Sequence, residues 1–144
     1  VYLDSSTSVA FRDDGFSVFK GKQIPKESVN VTTDREIVST FYDKDNIGLV
    51  YENDGKDKKY TMQVYDTGGK KKFQRDFDLP YVNIRMSEGV IVMNSDSQVC
   101  VISTSGVQKF NGNISENVVD DFFKIRRNRY ALILDGAVGI IKLK

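Results

Sequence analysis

Apolar residues along this chain of 144 residues recur with a period of two rather than 3.6. The alternation is plain in Ser8-Val-Ala-Phe-Arg12, Phe16-Ser-Val-Phe-Lys20 and Thr61-Met-Gln-Val-Tyr65. A strand sends successive side chains to opposite faces, so this pattern predicts half-buried β-strands and not amphipathic helices. The runs are short and end at Gly, Asp, Asn or Ser roughly every 8 to 12 residues, the punctuation of an all-β protein. Val, Ile, Thr, Tyr and Phe dominate, and only Pro25 and Pro80 interrupt.

Pairs of these runs flank turns rich in Asp and Asn, which predicts four hairpins. Asp13-Asp14-Gly15 joins the first pair, and Asn53 to Asp57 joins Gly48–Glu52 to Thr61–Tyr65. Asn94-Ser95-Asp96-Ser97 joins Val90–Met93 to Gln98–Ile102, and Asp135-Gly136 joins Ala131–Leu134 to Val138–Lys142. Asp, Asn and Gly tolerate the positive φ that tight hairpin turns demand.

The stretch Thr61–Phe73 returns without a gap at Gln98–Phe110: Val64 answers Val101, Thr67 Thr104, Gly69 Gly106, Lys72 Lys109 and Phe73 Phe110. Equivalent positions in the four hairpins, Val18, Val64, Val101 and Ile140, stand 46, 37 and 39 residues apart. Polar insertions near Lys44–Asn46 and Asn53–Lys59 absorb the longer first interval. A further strand follows the glycine turn, at Lys71–Arg75 and Val107–Phe110, and a fourth is expected to close each unit, at Ile37–Tyr42, Tyr81–Arg85 and Phe122–Arg126. Four short strands in about 40 residues mark a propeller blade. The expected fold is all-β, with antiparallel four-stranded blades, about three of them plus a partial one. Ser115 to Phe123 carries the one weak helical start, and its Val118-Val119-Asp120-Asp121 is poor helix-forming sequence.

The segment Val64-Tyr-Asp-Thr-Gly-Gly-Lys-Lys-Lys-Phe73 resembles the repeat of pyrroloquinoline-quinone-type propellers and, more broadly, WD40-like blades. That repeat runs apolar-x-Ala-apolar-Asp-x-x-Thr-Gly-Lys, with Trp close behind. Asp66, Gly69 and Lys70 match its turn, and Phe73 stands near its docking tryptophan. The second copy has Ser103 for the Asp, Val107 after Gly106 and Phe110 for the Trp, so the resemblance brings no quinone site. The chain is more similar still to a bacterial propeller-like family of unknown function, in Val64-Tyr-Asp-x-x-Gly, Phe77-Asp-Leu-Pro-Tyr81, Val101-Ile-Ser-x-x-Gly-Val-x-Lys-Phe110 and Ile140-Ile-Lys-Leu-Lys144. This likeness covers about residues 60 to 144 well and the first 60 loosely. It implies a domain exposed outside the cytoplasm and tethered by one N-terminal membrane helix, and it brings no catalytic residues.

Three units and a fragment fall short of the ~4 blades of the smallest closed propellers. Residues 1–144 are therefore expected to be a single repeat segment, the C-terminal part of a longer chain, with any anchor upstream of Val1. Alone, such an arc exposes a blade face at each end, which predicts a homodimer or blade exchange.

Composition narrows the function further. Hydrophobic residues make up 40% and charged residues 28%, as in an ordinary folded domain. With 21 basic against 20 acidic residues the net charge is +1, so no global pull toward DNA, RNA or anionic membrane is expected. The one cysteine, Cys100, lies among Val99 and Val101 and reads as a small core residue. There is no histidine, which removes the commonest acid/base group and most zinc and copper ligand sets. Gly68-Gly69-Lys70 lacks the rest of a phosphate loop and reads as a turn. The acidic loops Asp43-Lys-Asp45-Asn46 and Asn53–Asp57 offer oxygen ligands but miss calcium-loop spacing, so they read as solvated turns. Lys70–Lys72 and Arg126-Arg127-Asn128-Arg129 are basic runs suited to an acidic polymer or lipid head groups. Against that reading, Asp76, Asp78, Asp120 and Asp121 stand nearby and are expected to neutralise them. Asn30-Val-Thr32 and Asn113-Ile-Ser115 match the glycan acceptor pattern by chance. No catalytic, cofactor-binding or metal residue is nominated, and no cofactor. The expectation is a non-catalytic binding or scaffold module of the extracytoplasmic bacterial surface, membrane-associated in its full length, presenting loops to a protein or cell-surface polymer. The alternative is the scaffold portion of an enzyme whose active site lies in other blades.

Overall fold

The alternating runs form antiparallel strands throughout the computed structural model, which describes residues 1–55, 57–114 and 118–144. The strands are β1 (Thr7–Arg12), β2 (Gly15–Lys20), β3 (Lys26–Thr32), β4 (Ile37–Tyr42), β5 (Asn46–Glu52), β6 (Tyr60–Asp66) and β7 (Lys71–Phe77). They continue as β8 (Asn83–Ser87), β9 (Val90–Asn94), β10 (Gln98–Ser103), β11 (Gln108–Asn113), β12 (Val119–Arg126), β13 (Arg129–Leu134) and β14 (Ala137–Lys142). The strands pair in sequence order into four sheets: β1-β2-β3, β4-β5-β6-β7, β8-β9-β10-β11 and β12-β13-β14. The all-β, blade-like architecture read from the repeat is thus present. The helical start at Ser115 lies outside the described residues, and Val119–Arg126 is strand.

One assignment changes. The strands expected to close each unit, at Ile37–Tyr42, Tyr81–Arg85 and Phe122–Arg126, instead open the next one: β4 pairs with β5, β8 with β9 and β12 with β13. The connections explain this. Only Glu88 and Gly89 lie beyond the Ser87↔Val90 pair, and only Arg127 and Asn128 beyond Arg126↔Arg129. Two-residue loops force the flanking strands to pair with each other. At the other end, Val1 and Val9 exchange backbone hydrogen bonds of 2.8 Å in both directions, so the first residues run beside β1.

The sequence repeat has a repeated register beneath it. Val64 faces Phe73 and Val101 faces Phe110 across their strands, and a bulge follows each valine, at Val64/Tyr65 and Val101/Ile102. The first sheet does the same, with Val18 opposite Val29 and a bulge at Val18/Phe19. Such bulges re-aim the outer strand and increase its twist.

Two compact units result, Val1–Asp78 and Leu79–Lys144. In the first, Val9, Phe16 and Val18 pack against Ile47, Leu49, Tyr51 and Tyr65, with the Phe16 and Tyr65 rings edge-on at 5.3 Å. In the second, Val90, Val92, Val99 and Val101 pack against Val119, Phe122, Tyr130 and Leu132, with the Phe122 and Tyr130 rings stacked at 5.4 Å. Cys100 is buried, as its neighbours predict. Strands β5 and β9 are buried along nearly their whole length, which accounts for their unbroken apolar runs.

Candidate functional site

The Asp/Ser-x-x-Gly signature builds one turn twice. Asp66 Oδ1 accepts from the amides of Gly68 at 2.9 Å and Lys70 at 3.0 Å, while Gly69 N–H donates to Asp66 O. In the second copy Ser103 Oγ accepts from Val107 N–H at 3.0 Å, and Gly106 N–H donates to Ser103 O. Gly69 and Gly106 sit at φ 81° and 91°, a region that side chains with a Cβ disfavour. The change from Asp to Ser therefore keeps the capping oxygen. Gly-Gly-Lys is a turn, as read.

The acidic loops are organised in the same way. Asp43 Oδ1 accepts from Asp45 N–H, Asn46 N–H and Asn46 Nδ2 between 2.8 and 2.9 Å. Asn53 Nδ2 donates to Lys58 O across the second loop, and Asp78 accepts from Lys59 N–H while paired with Lys58. The hydrogen bonds from Lys58 and Lys59 hold the Asp78 carboxyl below the usual carboxylate range. Among the described residues, no three His, Cys, Asp or Glu side chains cluster with metal-site spacing.

In the first unit Arg35 lies 4.8 Å over the Tyr51 ring, and its Nη2 donates to Glu52 O at 2.8 Å. The hydroxyls of Tyr51 and Tyr65 both donate to Gln63 Oε1, at 3.1 and 2.6 Å. Burial pushes the Tyr51 phenol up to about 12. These groups serve the core and its rim.

Of the four carboxylates expected to neutralise the basic runs, Asp76, Asp78 and Asp121 are engaged elsewhere. Asp76 accepts from Thr61 Oγ1 at 2.7 Å, Asp78 pairs with Lys58, and Asp121 pairs with Arg85 at 2.9 Å. Lys72 Nζ instead donates to Asn46 Oδ1 at 2.7 Å. The Arg126–Arg129 turn is left with its charge. It opens on a cleft of about 400 Å³ lined by Arg126, Arg127, Asn128, Arg129 and Lys142. Cross-strand register puts Arg126 opposite Arg129 and Arg129 opposite Lys142, a row of three cations on three adjacent strands. Like charges directly opposite each other on paired strands are destabilising. Among the described residues none of these cations, nor Arg127, has a carboxylate within 4.0 Å, whereas Arg85 and Lys124 on the same unit do.

Lys142 is the member that the linear run does not show. Its signal was present, since a two-residue Asp135-Gly136 turn fixes Leu134 opposite Ala137 and hence Arg129 opposite Lys142.

The four antiparallel sheets and their hairpin turns define a protein of propeller-type fold. The solved structures agree. Hsv2 of Kluyveromyces marxianus superposes with a TM-score of 0.67 at 15% identity, over 98% of this chain and 45% of that one. A fragment of HIRA, residues 644–1017, gives 0.59 at 10% identity over 90% and 45%. BBS1N, crystallised in complex with ARL6DN, gives 0.57 at 13% identity over 96% and 50%. All three are of WD40 or β-propeller type, and the chain spans about half the length of each. The chain belongs to the family of unknown function DUF5711, whose model matches residues 1–143. No curated protein sequence matches it significantly.

Proposed function

We propose that the chain is a non-catalytic binding module of the extracytoplasmic bacterial surface, presenting its hairpin turns to a protein or cell-surface polymer. The observation that carries this is the way the turns are made. Asp43, Asp66, Ser95 and Ser103 each spend a side-chain oxygen on their own turn's amides, so the turns are preset before any partner arrives. A preset loop loses little conformational entropy on docking, which favours recognition. The extracytoplasmic placement rests on the resemblance of Val64–Gly69, Phe77–Tyr81, Val101–Phe110 and Ile140–Lys144 to a membrane-anchored bacterial propeller-like family.

The test is sedimentation of the purified chain with washed bacterial cell walls and, separately, with membrane vesicles. Saturable retention by one fraction is expected. Retention by neither overturns the proposal.

A further inference from the structure

We infer that the cleft at the β12–β13 turn is an anion site for a phosphate-bearing ligand, which gives the binding module proposed above a ligand chemistry. Three features of the second unit converge on it. The cleft carries three guanidinium groups and one ammonium on five lining residues. Strand register, not chance side-chain drift, aligns Arg126, Arg129 and Lys142. The acids nearest along the chain or across the sheets are held by other cations, Asp121 by Arg85 and Glu88 by Lys124.

The backbone adds a fourth indication. Arg127 takes φ 43°, a region where Gly or Asn fits better and a long side chain is disfavoured. Glu88, the other non-glycine residue at positive φ among the described residues, holds Lys124 across the second unit. Among the described residues Arg127 has no such ion-pair partner, and it lines the cleft in this disfavoured conformation.

Ligand class follows from charge and geometry. A single carboxylate would leave most of the row still repelling, whereas a multiply charged phosphate group relieves it at once. Guanidinium forks match phosphate oxygens two at a time. The cleft is of the size that admits a small-molecule group. Phosphate of this kind comes either on a soluble molecule or as a lipid headgroup, and the site reads the chemistry common to both.

The experiment titrates the chain with inorganic tripolyphosphate by calorimetry, with vesicles of phosphatidylcholine containing phosphatidylglycerol, and with polyglutamate as the carboxylate control. Wild type is expected to bind tripolyphosphate, the anionic vesicles or both, and the stronger arm identifies the source. Arg127→Asn is expected to weaken binding about fivefold while the thermal midpoint stays or rises, because Asn suits the left-handed turn. Arg129→Gln with Lys142→Gln is expected to weaken it at least tenfold. Failure to bind either phosphate probe, equal binding of polyglutamate, or unchanged binding by the folded variants overturns the assignment. Envelope retention that persists in the Arg129→Gln/Lys142→Gln protein would overturn this site while leaving the binding-module reading intact.

Discussion

Single residues in this chain act mainly by completing turns. Asp66 and Ser103 occupy equivalent positions and both cap the amide four residues on. Asp66→Ser is accordingly expected to be nearly neutral, while Asp66→Ala should cost about 1 kcal/mol, one net hydrogen bond, in urea denaturation. Equal losses for the two variants would contradict the capping role. Tyr51 offers a pH test. Its folded phenol is pushed up to about 12 from an ordinary value near 10. The neutral form is therefore favoured by folding, and that stabilisation is complete below pH ~10 and lost as pH rises toward ~12. Denaturant midpoints should fall across that window, and Tyr51→Phe should flatten the fall. An unchanged slope in Tyr51→Phe would assign the effect to other groups.

Strands and sheets were legible from alternation and turn chemistry, because both are local. The Val64/Phe73 and Val101/Phe110 pairs show why the repeat persists: it specifies a cross-strand contact, a bulge and a capped turn together. Two things were less legible. Whether β4, β8 and β12 close one sheet or open the next is a choice between two partners, and Arg127-Asn128 is an unusual two-residue turn without glycine. The partners of Asp76, Asp78 and Asp121 lie on other strands, so sequence proximity misassigned them to the basic runs. The cleft's charge depends on cross-strand pairs that linear sequence does not show. Packing at this scale is tested at Gly48, which lies opposite Phe41. A Cβ there would approach the Phe41 ring to 2.2 Å. Gly48→Ala should cost about 1–3 kcal/mol by overpacking, and Phe41→Leu in the same chain should recover part of it. Additive losses would show that the ring is not the obstacle.

For the molecule as a whole, the repeat also marks where a sheet stops. Val18, Val64 and Val101 are fully buried beside an outer strand, whereas Ile140 at the equivalent position is 60% exposed on β14, a sheet edge. Unpaired edges with apolar side chains recruit further strands. The isolated chain is expected to run as a dimer by light scattering, and Ile140→Lys should return it to a monomer. A wild-type monomer of 16.3 kDa would contradict this. The edge and the cleft make separable demands: one takes a strand and the other takes negative charge. Salt dependence decides whether this propeller-type chain binds through its basic turn. Retention of wild type on bacterial envelopes is followed from about 50 mM to about 500 mM salt, a range over which screening of exposed charge rises steeply. Saturable retention that falls with salt is expected, already lowered at low salt for Arg129→Gln/Lys142→Gln. Retention indifferent to both salt and the substitutions, or no retention at all, would contradict it.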